Sequence, residues 1–191
     1  MLKEIYRLGS LLGDFRSLAR PENIDLHPTS MPQLVGEFLN TQAVEYTSRG
    51  IAVEQDFPAD LPMVMADSRR MKQVLLNLCK NAVDAMAEGG TLTIRGRHLA
   101  GTVSLEITDT GVGIPDDFEV FQLFKTTKEH GTGLGLSIVR QIISAHQGTI
   151  SYRSEPGNGT TFTISMPVDS THSGQFDSSY RSNDSMTRKI S

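Results

Sequence analysis

Apolar positions along the chain recur at helical spacing in four stretches and alternate with polar ones in most of the others. In residues 1–20, Ile5, Leu8, Leu12, Phe15 and Ala19 step by three and four, a heptad seam that calls for partner helices, and Arg20-Pro21 ends it. An extended segment at 23–27 leads to a helix over 32–48. Short strands are predicted at 51–57 and 62–65. The strongest amphipathic run is 68–87, with Met71, Val74, Leu75, Leu78, Ala82 and Ala85 on one side, and Gly89-Gly90 stops it. Alternation at 91–98 and 103–108 around Leu99-Ala100-Gly101-Thr102 predicts a hairpin. A long loop at 109–131, a helix over 134–146, and a second hairpin (149–154 with 160–166) complete a mixed α/β domain spanning 21–168. Residues 169–191 are rich in Ser, Asp and Asn and carry almost no apolar pattern, so a disordered tail is expected.

Composition narrows the function classes. A formal net charge of -4 argues against a protein that coats nucleic acid, since no basic excess exists to displace counterions. No apolar run approaches the length of a membrane span, so a cytoplasmic chain is expected, compatible with a membrane-anchored parent. The lone cysteine, Cys79, excludes an internal disulfide and sits in an apolar helical stretch, where a packing role outweighs a reactive thiol.

Three segments carry chemistry. Asn77 and Asn81 are one helical turn apart, and two amide oxygens on one face suit a hard cation such as Mg²⁺; two solvated asparagines would look the same. Asp109-Thr110-Gly111-Val112-Gly113-Ile114 follows a strand. There a carboxylate can accept from an exocyclic amine, and the glycines let the backbone approach a flat ligand, although Asp and Gly are also ordinary turn residues. Gly131-Thr132-Gly133-Leu134-Gly135-Leu136 opens a helix, where exposed backbone N–H groups suit phosphate. It is neither a Walker A loop nor a dinucleotide fingerprint.

Together and in this order, these segments resemble the ATP-binding catalytic domain of sensor histidine kinases, within the GHKL superfamily. Asn77–Asn81 resembles the N box, Asp109–Gly113 the first glycine box and Gly131–Gly135 the second. Phe121 and Phe124 resemble the F box of an ATP lid, and Gly159-Thr160-Thr161-Phe162 the final strand. Thr126-Thr127-Lys128, running almost directly into the second glycine box, is most similar to the nitrogen-regulation type. The resemblance implies a Bergerat-type two-layer α/β sandwich, a mixed sheet packed on helices. ATP or ADP would lie between helices and lid, with Asp109 and Thr160 at the adenine and Gly111, Gly113 and Ile114 lining it. Asn81 and Asn77 would serve as catalytic residues holding Mg²⁺. Lys80, Asp84, Lys128, Gly131, Thr132, Gly133, Leu134, Gly135 and Leu136 would surround the phosphates. The lid is expected to run over 115–132, with Phe118, Phe121, Leu123 and Phe124 as its apolar anchors.

Related ATPases of the gyrase and mismatch-repair kind place a glutamate one turn before the magnesium asparagine, as general base on water. That position is Asn77 here, so transfer to a protein group is favoured over hydrolysis. The acceptor is expected on a separate dimerisation hairpin, whose second helix residues 1–20 resemble, with a response regulator as the later partner. None of His27, His98, His130, His146 and His172 has the His-Glu-apolar-Arg-x-Pro context, and each reads as a strand, loop or surface residue. Two alternatives stay open: a nucleotide-dependent interaction module, and an anti-sigma-type serine kinase.

Overall fold

The structure is a computed structural model that describes residues 24–115, 118–126 and 132–168. The heptad segment 1–20 and the tail 169–191 lie outside the described residues. Three helices are described: α1 (Met31–Ser48), α2 (Ser68–Ala85) and α3 (Gly135–Ala145). Seven strands accompany them: β1 (His27–Thr29), β2 (Ile51–Asp56), β3 (Val64–Ala66), β4 (Gly90–Leu99), β5 (Thr102–Asp109), β6 (Thr149–Ser154) and β7 (Thr160–Pro167). Five form a mixed sheet in the order β2-β4-β5-β7-β6, parallel only between β2 and β4, while β1 and β3 pair antiparallel in a separate ribbon. The expected mixed sheet packed on helices is what the chain forms.

Local chemistry explains the element boundaries. Asp67 caps α2 by accepting from the Arg70 N–H at 3.1 Å, satisfying one of the donors a helix start leaves unpaired. The β4–β5 hairpin turns through Ala100 and Gly101, both at positive φ (50° and 75°), the twist a two-residue hairpin loop requires. The extended segment expected at 23–27 becomes β1 only at its end, because pairing with β3 registers His27 with Ala66 and Thr29 with Val64.

The apolar faces meet in one core. β5 alternates strictly, burying Val103, Leu105, Ile107 and Asp109 while its other side carries Ser104, Glu106 and Thr108. Onto that buried face pack Met71, Val74, Leu75, Leu78, Cys79, Ala82 and Val83 of α2, and Ile138, Val139, Ile142 and Ile143 of α3 extend the same core against α2 and β6. A fully buried Leu or Ile contributes about 1.5–3 kcal/mol relative to exposure, so this interface dominates the fold's stability. Ala85, expected on the inner face of α2, is only half-buried, because its turn of helix faces the loop after β5.

One histidine departs from expectation. His146, read as a strand, loop or surface residue, is buried at the C-cap of α3. Its Nδ1 lies 2.7 Å from the Ile142 carbonyl, and its Nε2 accepts the Asp67 N–H at 3.0 Å. With Nδ1–H donating and Nε2 accepting, the ring ties the end of α3 to the cap of α2. His27 and His98 lie exposed in strands as expected, and His130 and His172 are outside the described residues.

Candidate functional site

β5, the central strand of the sheet, ends at Asp109 with its side chain on the buried face, 5% exposed. The Gly111 N–H donates to its Oδ1 at 2.9 Å, which turns the chain immediately after the strand. Directly across the sheet Asp109 registers with Thr160, also 5% exposed, and both side chains point to the same face. A buried carboxylate beside a buried hydroxyl can accept from a group that offers hydrogens.

Glycine lets the loop close on its neighbours. A Cβ on Gly111 would stand 2.6 Å from the Ala85 carbonyl oxygen at the end of α2, and the Val112 N–H donates to that oxygen at 3.2 Å. Gly113, at φ 71°, lies so close to the β6–β7 turn that a Cβ would meet the Glu155 carbonyl. The Gly157 N–H donates to the Val112 carbonyl at 2.8 Å, so the first glycine loop sits between α2 and that turn.

The second glycine segment is described from Thr132. Thr132 Oγ1 accepts the Leu134 N–H at 3.3 Å, and Leu134 is buried in the core, so its backbone and not its side chain faces any ligand. Leu136 is half-buried against the core. α3 begins at Gly135 with no side-chain cap, which leaves the first N–H groups of the helix to other partners. Gly135 meets α2 directly: a Cβ there would come within 2.9 Å of Asn77 Oδ1. Asn77 is held by donation from its Nδ2 to the Gln73 carbonyl at 3.0 Å. Asn77, one of the two amides predicted on a face of α2, thus lies beside the predicted phosphate-binding helix start.

Other predicted residues are placed differently. Asn81 is half-buried one turn beyond Asn77, while Lys80 is exposed. Asp84 lies 3.3 Å from Arg49, an ion pair between the ends of α2 and α1. Ile114 is half-buried and packs on the core, and its N–H donates to Ser154 Oγ at 2.8 Å. Lys128 and Gly131 lie outside the described residues.

The expected lid segment anchors on two of the four residues predicted and on a third that was not. Val120 is buried, and Phe118 and Phe121 pack against the core, but Leu123 and Phe124 are 50% and 67% exposed. Phe121 meets Tyr152 of β6 edge to face at 6.0 Å, Arg140 lies 5.8 Å from its ring centre, and Ser137 donates to its carbonyl at 3.3 Å. Gly133 closes against Phe124 and Lys125 so tightly that no Cβ fits.

Sequence reasoning missed two residues. Ser154 joins Ile114, Gly159 and Thr160, and Thr110 Oγ1 accepts the Thr91 N–H at 3.0 Å. Ser154 belongs to no recognisable motif, and Thr110 lies inside the first glycine segment, where only the aspartate and the glycines drew notice. A serine at a strand end before Pro-Gly looks like ordinary turn chemistry, and only the folded register reveals its partners.

A buried Asp–Thr pair and two glycine loops, wrapped around a helix carrying two amides, define a class of nucleotide-binding sandwich. The model of the histidine kinase-, DNA gyrase B- and HSP90-like ATPases matches residues 66–170, and the chain belongs to that family. It is 35% identical over 173 residues to sensor histidine kinase ZraS of Escherichia coli (strain K12), covering 90% of this chain and 37% of that protein. The chain thus spans little more than a third of that relative's length. Among solved structures it resembles full-length ShkA in complex with AMPPNP, at TM-score 0.76 and 27% identity over 87% of this chain and 36% of that one. It also resembles the catalytic domain of histidine kinase ThkA, at TM-score 0.69 and 31% identity over 75% of this chain and 96% of that one. Among the described residues, no helix is long and apolar enough to cross a membrane.

Proposed function

We propose that residues 21–168 are the ATP-binding catalytic unit of a two-component sensor histidine kinase, which passes the γ-phosphoryl group of ATP to a histidine on a dimerisation hairpin. The observation that carries the reading is the buried Asp109–Thr160 pair, where β5 ends and β7 begins, backed by glycine segments that close on α2. In this reading Asp109 accepts from the adenine amine, and the Gly111–Ile114 backbone packs along the base. The N–H groups of Gly133, Gly135 and Leu136 receive the phosphates, as helix starts do, while Thr132 Oγ1 holds that of Leu134.

Magnesium fits the donor set. Asn77 donates one amide hydrogen to the Gln73 carbonyl, which turns its oxygen toward Gly135, and Asn81 lies one turn further along the same helix. Asn81, with Asn77, would hold the ion against the phosphates, where it neutralises negative charge. Neither amide is basic. Without a carboxylate one turn before Asn81, no group there deprotonates water, which favours transfer to a protein nucleophile over hydrolysis. The residues that position nucleotide do most of the catalytic work in such a transfer.

The partners follow from the same reading. The acceptor hairpin is a separate element of the parent kinase, and a response regulator takes the phosphoryl group onward. No described histidine lies in an acceptor context. The test is to mix the chain with a hairpin fragment carrying that histidine and γ-labelled ATP. Acid-labile, base-stable label on the hairpin, growing with its concentration, is the expected result. Label on the chain alone would overturn the reading. ATP binding without transfer at any hairpin concentration would favour a nucleotide-dependent interaction module.

A further inference from the structure

We infer that Ser154 is a positioning residue of the nucleotide site, one that sets the hydroxyl of Thr160 as an acceptor and so helps select an amino purine over an oxo purine. The inference rests on the ATP-binding reading above and adds to it the source of base discrimination.

Ser154 ends β6, and its hydroxyl has three partners from three different segments. The Ile114 N–H donates to Ser154 Oγ at 2.8 Å, Ser154 donates to the Gly159 carbonyl at 3.0 Å, and Thr160 Oγ1 lies 2.9 Å away. A serine hydroxyl has one proton and two lone pairs. The Gly159 carbonyl only accepts, so it takes the Ser154 proton, and one lone pair takes the Ile114 N–H. The remaining contact therefore has Thr160 as donor. With its proton turned toward Ser154, Thr160 presents lone pairs to the site.

That orientation matters because of what lies across the sheet. Asp109 is registered with Thr160, is equally buried, and as a carboxylate only accepts. Two acceptors side by side favour a base edge with an exocyclic amine, which offers two hydrogens. They oppose a base with an oxygen at the same position, which would face only lone pairs, and such unpaired acceptors are what drive rejection. The Ser154–Ile114 bond holds the loop beneath the same base edge, so one hydroxyl serves both orientation and shape.

The experiment measures ATP and inosine triphosphate affinities of the full chain by calorimetry for wild type, Ser154→Ala, Ser154→Cys and Ser154→Thr. Removing the hydroxyl frees the Thr160 proton to donate. Ser154→Ala should weaken ATP about ten-fold and inosine triphosphate less, so that discrimination between them narrows. Ser154→Thr keeps the hydroxyl and should keep both affinities and their ratio. Ser154→Cys, nearly the same size but a poor hydrogen-bonding group, should fall between and serves if the alanine variant does not fold. An unchanged ratio in the alanine or cysteine variant, whether ATP binding holds or both ligands weaken equally, would overturn the inference while leaving the ATP reading intact. Wild-type protein that binds neither nucleotide would overturn the ATP reading, and this inference with it.

Discussion

Replacing Gly111 with alanine tests whether the loop after β5 depends on close approach to α2. The added Cβ would stand 2.6 Å from the Ala85 carbonyl oxygen, 2.7 Å from the Ala85 Cβ and 2.8 Å from the Ala85 carbonyl carbon. An ordinary contact needs most of an ångström more. Most of the obstruction is backbone at the end of a packed helix, which cannot rotate away. Overpacking of this kind costs about 1–3 kcal/mol. Pushing the loop outward also loosens the Val112 N–H bond to Ala85, at 3.2 Å, worth about 0.5–1.5 kcal/mol. A loss of about 2–4 kcal/mol is expected in urea unfolding, with a melting point lower by roughly 10 °C. Because the Gly111 N–H orients Asp109, nucleotide affinity should fall in the same variant. Gly36→Ala in α1 is the control, since nothing lies within 4 Å of its added Cβ and the backbone is already helical. That change should stabilise by about 0.5–1 kcal/mol. If Gly111→Ala matches wild type in both stability and affinity, the close-approach argument is wrong.

Other perturbations probe the fold and the metal. His146→Ala should destabilise by about 1–3 kcal/mol, because it strands the buried Asp67 N–H at the α2 cap; unfolding curves superimposable on wild type would contradict this. Burial pushes the Cys79 thiol up to about 12 from an ordinary 9.0, and it pushes the Tyr46 hydroxyl up as well. Between those two thiol values the folded chain keeps a proton that the unfolded chain has released. Stability should therefore fall as pH rises above 9, by about 1.4 kcal/mol per unit for the thiol, with nothing lost below that window. Thiol alkylation should be slow in the folded protein and fast in urea, and fast labelling of native protein would refute the burial argument. Asn81→Ala should lose magnesium-dependent ATP binding far more than adenosine binding, as calorimetry with and without the metal will show; equal losses would make the residue structural. Exchange of backbone hydrogens over 118–126 should slow when nucleotide is added, and full protection in its absence would argue against a lid.

Much of the architecture was legible because period and burial agree. The strict alternation of β5 and the apolar side of α2 are visible in the sequence, and both elements fold where the pattern places them. Asp109 stands at the end of β5, Gly111 in the turn after it and Gly135 at the start of a helix, where the motif spacing places them. What the sequence hid was partnership at long range. Ser154 has no motif, and its bonds to Ile114 and Thr160 depend on the register of three segments. His146 is helical in pattern, and only the packing of α3 against the α2 cap buries it. Leu123 and Phe124 looked like lid anchors by hydrophobicity, yet Val120 takes the buried place, because Phe121 turns toward Tyr152 and leaves its neighbours outward. Hydrophobicity orders side chains by preference, but a tight turn decides which of them reaches the core.

In the proposed function, nucleotide is recognised by the buried Asp109 carboxylate. Calorimetric titration of the chain with ATP and magnesium, run beside Asp109→Asn, tests it most directly. The neutral amide is nearly isosteric but forfeits the charge-assisted bond, worth about 1.5–3 kcal/mol, so affinity should fall roughly ten- to a hundred-fold while the unfolding midpoint of the free protein stays close to wild type. Equal ATP affinity in the two proteins, or no saturable binding in the wild type, would contradict the account.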